Sequence, residues 1–503
     1  MITGKNIVAG KFSNTGANTF KTFNPELNLD NEWDFFEATA DEVNSAMQEA
    51  VEAFELFTVC PDDIRAKFLR AIAQQIEALG DELLNVYKME SGLPLNRARA
   101  ERSRTLHQLN MFADFISKND WRGTFVEEAE PNRLPKPKPS LYKTHIPIGP
   151  VAVFGASNFP LAYSTAGGDT ASAFAAGCPV IVKSHPMHAG TGELVASAIV
   201  RAIEDVDLPP GIFSNLNSGG IDVGKQIVQH PKLKAVGFTG SIKGGRALYD
   251  LAASREEPIP VFAEMGSVNP VVISSNALKT DLKKWVEMYA ESITNGTGQF
   301  CTKPGLLFGI DSSELDEFAV QLSQKIALKD STVMLNPSIE NNYESNRQLA
   351  IEQNNVAVLT EAHDVKPNYG KQTIATVDGT TFFSNPTLHH EVFGPYAIII
   401  KCKNLQQIQE IIEHIEGQLT GTVIVEKEDF EDFKPIVKAL SQRVGRLIYN
   451  GVPTGVEVTE AMTHGGPYPA STDSRFTAVG VHSIKRWIRP VTFQNFPKEL
   501  RPV

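Results

Sequence analysis

The sequence predicts an α/β protein with two doubly wound parallel-sheet domains and a small β arm. Three observations carry this. Short, continuously apolar runs alternate with helix-like stretches through residues 151–264, and the same texture recurs through 306–425. The chain of 503 residues is also roughly three times the size of a common single domain. Continuous apolar strands between helices mark a parallel sheet covered on both faces.

Taken in order, residues from about 40 to 115 read as helices. Val43, Met47, Ala50 and Phe54 stand at helical spacing, and Phe68, Leu69, Ile72, Ile76 and Leu79 repeat the pattern. The polar stretch 127–139 carries Pro131, Pro135, Pro137 and Pro139; it cannot hold a helix and reads as a connector or extended arm. Strands are expected at 151–154, 179–182, 235–238 and 260–263, closing on Gly155, Lys183, Thr239-Gly240 and Glu264, with helices at 164–176 and 191–203 between them. Ligands on such sheets bind beyond the carboxyl ends of the strands, so these closing residues stand on the functional edge. A second α/β domain begins shortly after Glu264, with strands at 306–310, 397–400 and 421–425 and helices at 314–328 and 405–415. The tail 491–503 is apolar and proline-bearing, which suits an arm packed on another subunit.

Composition excludes several classes. With 42% hydrophobic and 21% charged residues the chain fills sizeable cores and is not disordered. Its 59 acidic residues against 47 basic give a net charge of -12, so nucleic acid is not an expected partner. Cys60, Cys178, Cys301 and Cys402 lie far apart, and neither a disulfide framework nor a metal site is expected from their spacing. Without a signal peptide or an apolar run of ~20 residues, the expectation is a cytoplasmic protein with no membrane contact.

Three motifs come close and fail. Gly219 to Lys225 has phosphate-loop spacing, but Gln226 stands where a magnesium-binding hydroxyl belongs. His389-His390-Glu391 lacks the i, i+4 histidine pair of a zinc helix. No G-x-G-x-x-G follows the first strand.

Four places carry chemistry. Cys301 closes the glycine-rich run Asn295-Gly-Thr-Gly-Gln-Phe-Cys, where approaching backbone N–H groups favour a thiolate; the alternative is a small buried apolar residue. Glu264 follows a strand and precedes Met265-Gly266, a setting for a partly desolvated general base, or equally for a helix cap. Asn158, just after the first strand, offers an amide to an oxyanion or simply makes a turn. Phe238-Thr239-Gly240-Ser241, with Gly244 and Gly245, reads as a strand, a tight turn and a helix start. Such a turn admits a pyrophosphate, or uses glycine only for packing.

In order along the chain, residues 154–160, Val182-Lys183, Phe238 to Ser241, Glu264-Met-Gly266, Gly298-Gln-Phe-Cys301 and Glu391-Val-Phe393-Gly-Pro395 resemble the aldehyde dehydrogenase superfamily. Thr3-Gly-Lys5, Leu93-Pro94, Phe262 to Pro270 and His464 to Ala470 are similar to its 2,5-dioxovalerate (α-ketoglutaric semialdehyde) branch. The resemblance implies NAD(P)-dependent oxidation of a small-molecule aldehyde, through a Cys301 thiohemiacetal and thioester. Asn158 would hold the oxyanion and Glu264 would activate the hydrolytic water. Lys183, Gly240, Ser241, Gly245, Glu391 and Phe393 would bind the cofactor. It also implies a dinucleotide-binding domain at 1–138 and 151–265, a catalytic thiol domain at 266–485, an oligomerisation arm at 139–150 and 486–503, and a homodimer or homotetramer.

Some positions depart from the family pattern. Ser267-Val268 replaces a common Gly-Lys, Ser157 a common aromatic, and Pro186 an acid that often meets the ribose of NAD. Pro186 therefore permits NADP, which is slightly favoured over NAD. An acidic semialdehyde needs a cation for its far carboxylate. Arg104, with Gln108 one turn on, and Arg475, beside Phe476, are the candidates. Another semialdehyde or a fatty aldehyde would fit the same mechanism. A coenzyme A-dependent acylating enzyme is disfavoured by Glu264, and a catalytically silent binding protein by the intact Cys301, Glu264 and Asn158.

Overall fold

The computed structural model describes residues 2–118, 120–362 and 365–501. Its first sheet has the order Val261–Glu264, Ala235–Thr239, Val151–Phe154, Val180–Lys183, Phe213–Leu216, Asn6–Val8, Lys11–Ser13. The first five strands are parallel, and the N-terminal hairpin adds antiparallel at the edge. The second sheet runs Ala357–Glu361, Thr373–Asp378, Tyr396–Cys402, Leu306–Ile310, Val271–Ile273, Gln418–Ile424, Val444–Tyr449, parallel except for its first strand. Both central regions are buried on two faces, as the unbroken apolar runs require: Val151–Phe154 and Gln418–Ile424 are buried throughout.

The predicted strands and helices stand where expected to within a few residues. Seven strands of the two sheets were not anticipated: Asn6–Val8, Lys11–Ser13 and Phe213–Leu216 in the first, and Val271–Ile273, Ala357–Glu361, Thr373–Asp378 and Val444–Tyr449 in the second. Phe213–Leu216 buries Ser214 and Asn215, and the Ser214 hydroxyl accepts from the Ala9 N–H at 3.1 Å, so a polar sequence hides an interior strand.

Register levels the strand ends of the first sheet. Lys183 pairs with Phe154 and with Leu216, Phe238 with Phe154, and Thr239 with Glu264. Asn158, Lys183, Gly240 and Glu264 therefore emerge from one edge. A 24-residue helix, Leu95–Lys118, crosses above it, and Arg97, Arg104 and Gln108 sit at spacings that share a face.

The chain returns to the first sheet after completing the second. The Met265 N–H donates to the Ala470 carbonyl at 2.8 Å, and the Ala263 N–H to Thr472 Oγ1 at 3.0 Å. Trp487 is wholly buried in the first core and donates its indole N–H to Ser172 Oγ at 2.7 Å. Arg486 pairs with Asp169 at 2.6 Å beside it. These ties hold the loop 456–480 between the two sheets. A third, antiparallel sheet joins Ile488–Gln494, Leu141–Pro147 and Phe125–Glu127 into an arm. Among the described residues, no helix is long and apolar enough to cross a membrane.

Candidate active site

Cys301 follows a tight turn in which Gly296, Thr297 and Gly298 all take positive φ (53°, 59° and 65°). A Cβ on Gly298 would lie 2.3 Å from the Gly394 carbonyl oxygen, so only glycine lets this loop lie against the Glu391–Pro395 segment. Thr297 bears its strained conformation because its hydroxyl is tied to the Val333 carbonyl at 2.9 Å. Beneath the loop Asn269 clamps the backbone, donating its amide to the carbonyls of Cys301 (2.8 Å) and Lys303 (2.9 Å). The thiol is thus held by main chain on both sides.

Its side-chain neighbours come from three distant stretches. Cys301 Sγ lies 3.8 Å from His464 Nε2, and His464 Nε2 lies 3.0 Å from Glu264 Oε2. His464 and Glu264 are both buried. That approach is off hydrogen-bond alignment, so both Glu264 oxygens remain without hydrogen-bond partners, and the other ring nitrogen, His464 Nδ1, has none either. Burial, and secondarily the Glu264 carboxylate, push the Cys301 thiol well above its ordinary range, while Arg104 pulls weakly the other way. The surroundings therefore favour the protonated sulfur over the thiolate, and His464 and Glu264 stand close enough to act as bases. Asn158 Nδ2 donates to the Gln299 carbonyl at 2.9 Å, which fixes the amide and engages only one of its two N–H groups.

A cavity of about 250 Å³ opens onto Cys301, lined by Arg97, Arg104, Phe159, Tyr163, Phe300 and His464 among others. Arg104 donates to the Tyr163 hydroxyl at 2.8 Å, and its buried Nε has no partner. Arg97 lays its guanidinium over Phe159 (4.4 Å) and Phe300 (4.6 Å), whose rings meet edge to face at 5.5 Å. Of the four substrate candidates, only Arg104 lines this cavity. Gln108 is buried and donates to the Ala162 carbonyl at 3.3 Å. Arg475 is exposed and folds back on Asp473 at 2.8 Å, and Phe476 packs on Phe262 at 5.0 Å. The pairing of Arg475 with its own neighbour takes it out of the site.

Of the candidate cofactor residues, Lys183, Gly240, Ser241 and Gly245 lie at the first-sheet strand edge, and Glu391 and Phe393 on the segment before the second-sheet strand Tyr396–Cys402. Lys183 donates to the Ser218 carbonyl at 3.0 Å; burial lowers its ammonium to about 8, and the Glu37 carboxylate opposes that shift. Ser241 caps the helix Ile242–Ala253 by accepting from the Gly244 N–H at 3.1 Å. Gly240 and Gly245 do not offer free amides: their N–H groups donate to the Glu264 and Ser241 carbonyls. A Cβ on Gly245 would meet Met265 Sδ at 2.5 Å, and one on Gly240 the Phe238 ring at 2.6 Å. Close packing explains both glycines, and any anion there must use the helix N-terminus itself. In the phosphate-loop look-alike, the Gly219 N–H is already taken by Glu37 at 3.0 Å.

Glu391 accepts weakly from the Ser267 N–H (3.4 Å); burial raises its carboxyl, and the nearby Lys303 ammonium draws it back. Phe393 is half-buried beside it. Lys303 in turn donates to the carbonyls of Val392 (3.1 Å) and Tyr396 (2.6 Å) and holds that segment in place.

Sequence reasoning missed His464, Arg97 and Lys303. His464 stood in a stretch already noted, His464-Gly-Gly-Pro, but a histidine in a glycine–proline loop carries no local sign of its partners.

Comparison with known proteins gives the family and the fold. The model of the aldehyde dehydrogenase family matches residues 12–488. The chain belongs to that family. Among curated relatives, an alpha-ketoglutaric semialdehyde dehydrogenase 2 of Azospirillum brasilense is 40% identical over 509 residues, covering 100% of this chain and 96% of its own length. An alpha-ketoglutaric semialdehyde dehydrogenase of Acinetobacter baylyi is 40% identical over 501 residues, covering 99% and 95%. Among solved structures, a variant betaine aldehyde dehydrogenase of Staphylococcus aureus in complex with NAD+ superposes with a TM-score of 0.84 at 20% identity, covering 99% of each chain. PnpE in complex with nicotinamide adenine dinucleotide gives a TM-score of 0.84 at 18% identity, covering 98% and 97%. These two likenesses establish the aldehyde dehydrogenase fold.

Proposed function

We propose that this aldehyde dehydrogenase oxidises 2,5-dioxovalerate (α-ketoglutaric semialdehyde) to 2-oxoglutarate with NAD(P). One observation carries the reading: Cys301 and the buried His464 line one cavity with Arg104, whose buried Nε is unsatisfied, and the buried Glu264 carboxylate stands 3.0 Å behind His464 Nε2. An unpaired buried guanidinium nitrogen is costly, and Arg104, lining the cavity, offers a cation with which a substrate carboxylate would pair. The names of the 40%-identical relatives support the same substrate.

The steps follow from the chain's own groups. Cys301 Sγ attacks the aldehyde carbon and its proton passes to His464 Nε2, 3.8 Å away. The carbonyl oxygen becomes an alkoxide that takes the second N–H of the Asn158 amide. The nicotinamide cofactor, when bound, supplies the hydride acceptor that lets this adduct become a thioester. Glu264 then removes a proton from water, which attacks the thioester and frees the acid and the thiol. Phe159, Phe300 and Tyr163 keep other water away from the sulfur. The cofactor's adenosine ribose would lie at Lys183, its pyrophosphate at the Ser241-capped helix, and its nicotinamide ribose at Glu391 with Phe393 adjoining. NADP is admitted because Pro186 presents no acid to a 2′-phosphate, although Glu37 beside Lys183 opposes it.

The thiol-bearing second domain, the strand-edge first domain and the three-stranded arm would divide the work as catalysis, cofactor binding and assembly of a homodimer or homotetramer. Steady-state rates for 2,5-dioxovalerate, succinic semialdehyde and a long-chain aldehyde, each with NAD and NADP, test the reading. The highest kcat/KM is expected for 2,5-dioxovalerate, and a preference for the long-chain aldehyde overturns it.

A further inference from the structure

The spacing of the cysteines alone gives no metal site, but the fold brings one of them, Cys301, together with a histidine and a glutamate. We propose that Cys301, His464 and Glu264 form a site for a thiophilic divalent cation of the zinc type, whose binding reversibly blocks the enzyme. The three ligand atoms, Sγ, Nε2 and a carboxylate oxygen, all lie within 4.8 Å of one another. Tetrahedral zinc, with Zn–S of about 2.3 Å and Zn–N and Zn–O of about 2.0–2.2 Å, sets its ligand atoms roughly 3.3–3.6 Å apart. The observed 3.0 Å and 3.8 Å separations straddle that figure, and the third, between Sγ and the carboxylate, is within 4.8 Å.

Satisfaction of polar groups points the same way. Both Glu264 oxygens are buried and lack hydrogen-bond partners, although the side chain is only 3% exposed. A cation between the carboxylate and the sulfur supplies what the protein does not. The donor set, one thiolate, one imidazole and one carboxylate, is that of an open zinc site with a fourth position for water. His464 Nδ1 has no protein partner to orient the ring, so affinity falls below that of a closed four-ligand site.

Occupancy displaces the thiol proton: Cys301–SH and the dication give the metal thiolate and one proton released to solvent, with no change of oxidation state. The sulfur lone pair needed for attack on an aldehyde is then engaged, and Glu264 can no longer activate water. Binding therefore tightens as pH rises.

The inference rests on these three side chains alone, and its test needs no substrate. The intact, chelator-stripped chain is titrated with Zn²⁺ by calorimetry and with Co²⁺ by absorption. One metal per chain is expected, with a thiolate-to-cobalt charge-transfer band, proton release, and reversal by EDTA. Cys301→Ser is expected to abolish the band, and His464→Gln and Glu264→Gln each to weaken binding at least about tenfold. Iodoacetamide-treated wild-type protein provides a check that needs no variant, and it should lose the band. Retention of the band after alkylation, undiminished binding in both His464→Gln and Glu264→Gln, or no Zn²⁺ uptake by the wild type would each overturn the proposal.

Discussion

Two cysteines, Cys178 and Cys301, both have thiols pushed upward by burial and have opposite prospects. Cys178 is wholly buried behind the first sheet, where its thiol donates to the Trp487 carbonyl at 3.3 Å and burial pushes it up to about 11. Cys301 is also driven upward, by burial first and Glu264 second. Desolvation alone therefore does not mark the nucleophile. What separates them is company: Cys301 faces an open cavity, an imidazole, a carboxylate and an arginine, whereas Cys178 faces packed hydrocarbon and one carbonyl. Reactivity here belongs to the surroundings that can take a proton and admit a substrate.

Substitution offers the sharpest way to break the contrast. Cys301→Ala should lower kcat by at least about 1,000-fold with the fold retained, while Cys178→Ala leaves kcat within about twofold and costs roughly 1–2 kcal/mol in urea denaturation. Comparable activity losses in both would remove the distinction. Glu264→Gln comes next. Reduced cofactor should appear in a burst near one per site, followed by turnover slowed about 100-fold, because acylation survives and hydrolysis does not.

Arg104→Gln should raise KM for 2,5-dioxovalerate about tenfold or more and leave pentanal, which has no far carboxylate, within about twofold. Equal losses for both aldehydes would make Arg104 a structural partner of Tyr163. The smallest effect concerns pH. Because the Cys301 thiol lies above its ordinary range and only the thiolate reacts, iodoacetamide labelling should quicken as pH rises, about tenfold per unit below the folded pKa. Peptide mapping should find Cys178 unlabelled throughout, since no probe reaches it in the folded chain.

Much of the fold was legible because its signals are local. The apolar runs at 151–154 and 306–310 coincide with strands, and the polar residues closing the first-sheet strands do share one edge. Phe213–Leu216 was missed because Ser214 and Asn215 look like loop residues until a neighbouring strand supplies their partners. The glycines of the Gly240 turn were over-read, since glycine spacing looks the same whether it admits a phosphate or the Phe238 ring. Arg475 was over-read and Arg97 overlooked for a related reason. A charge in a sequence does not show whether it folds onto Asp473 or lies over the paired rings of Phe159 and Phe300.

The order of residues by itself determined the α/β layering and which loops would carry chemistry, because hydrophobic period and turn composition act over a few residues. Only the tertiary structure decided that the loop after the second sheet returns to the first, anchored by Trp487, and so sets His464 between Cys301 and Glu264. Such a meeting depends on how two sheets and a returning chain pack, an energy summed over whole faces of the protein that no short stretch encodes.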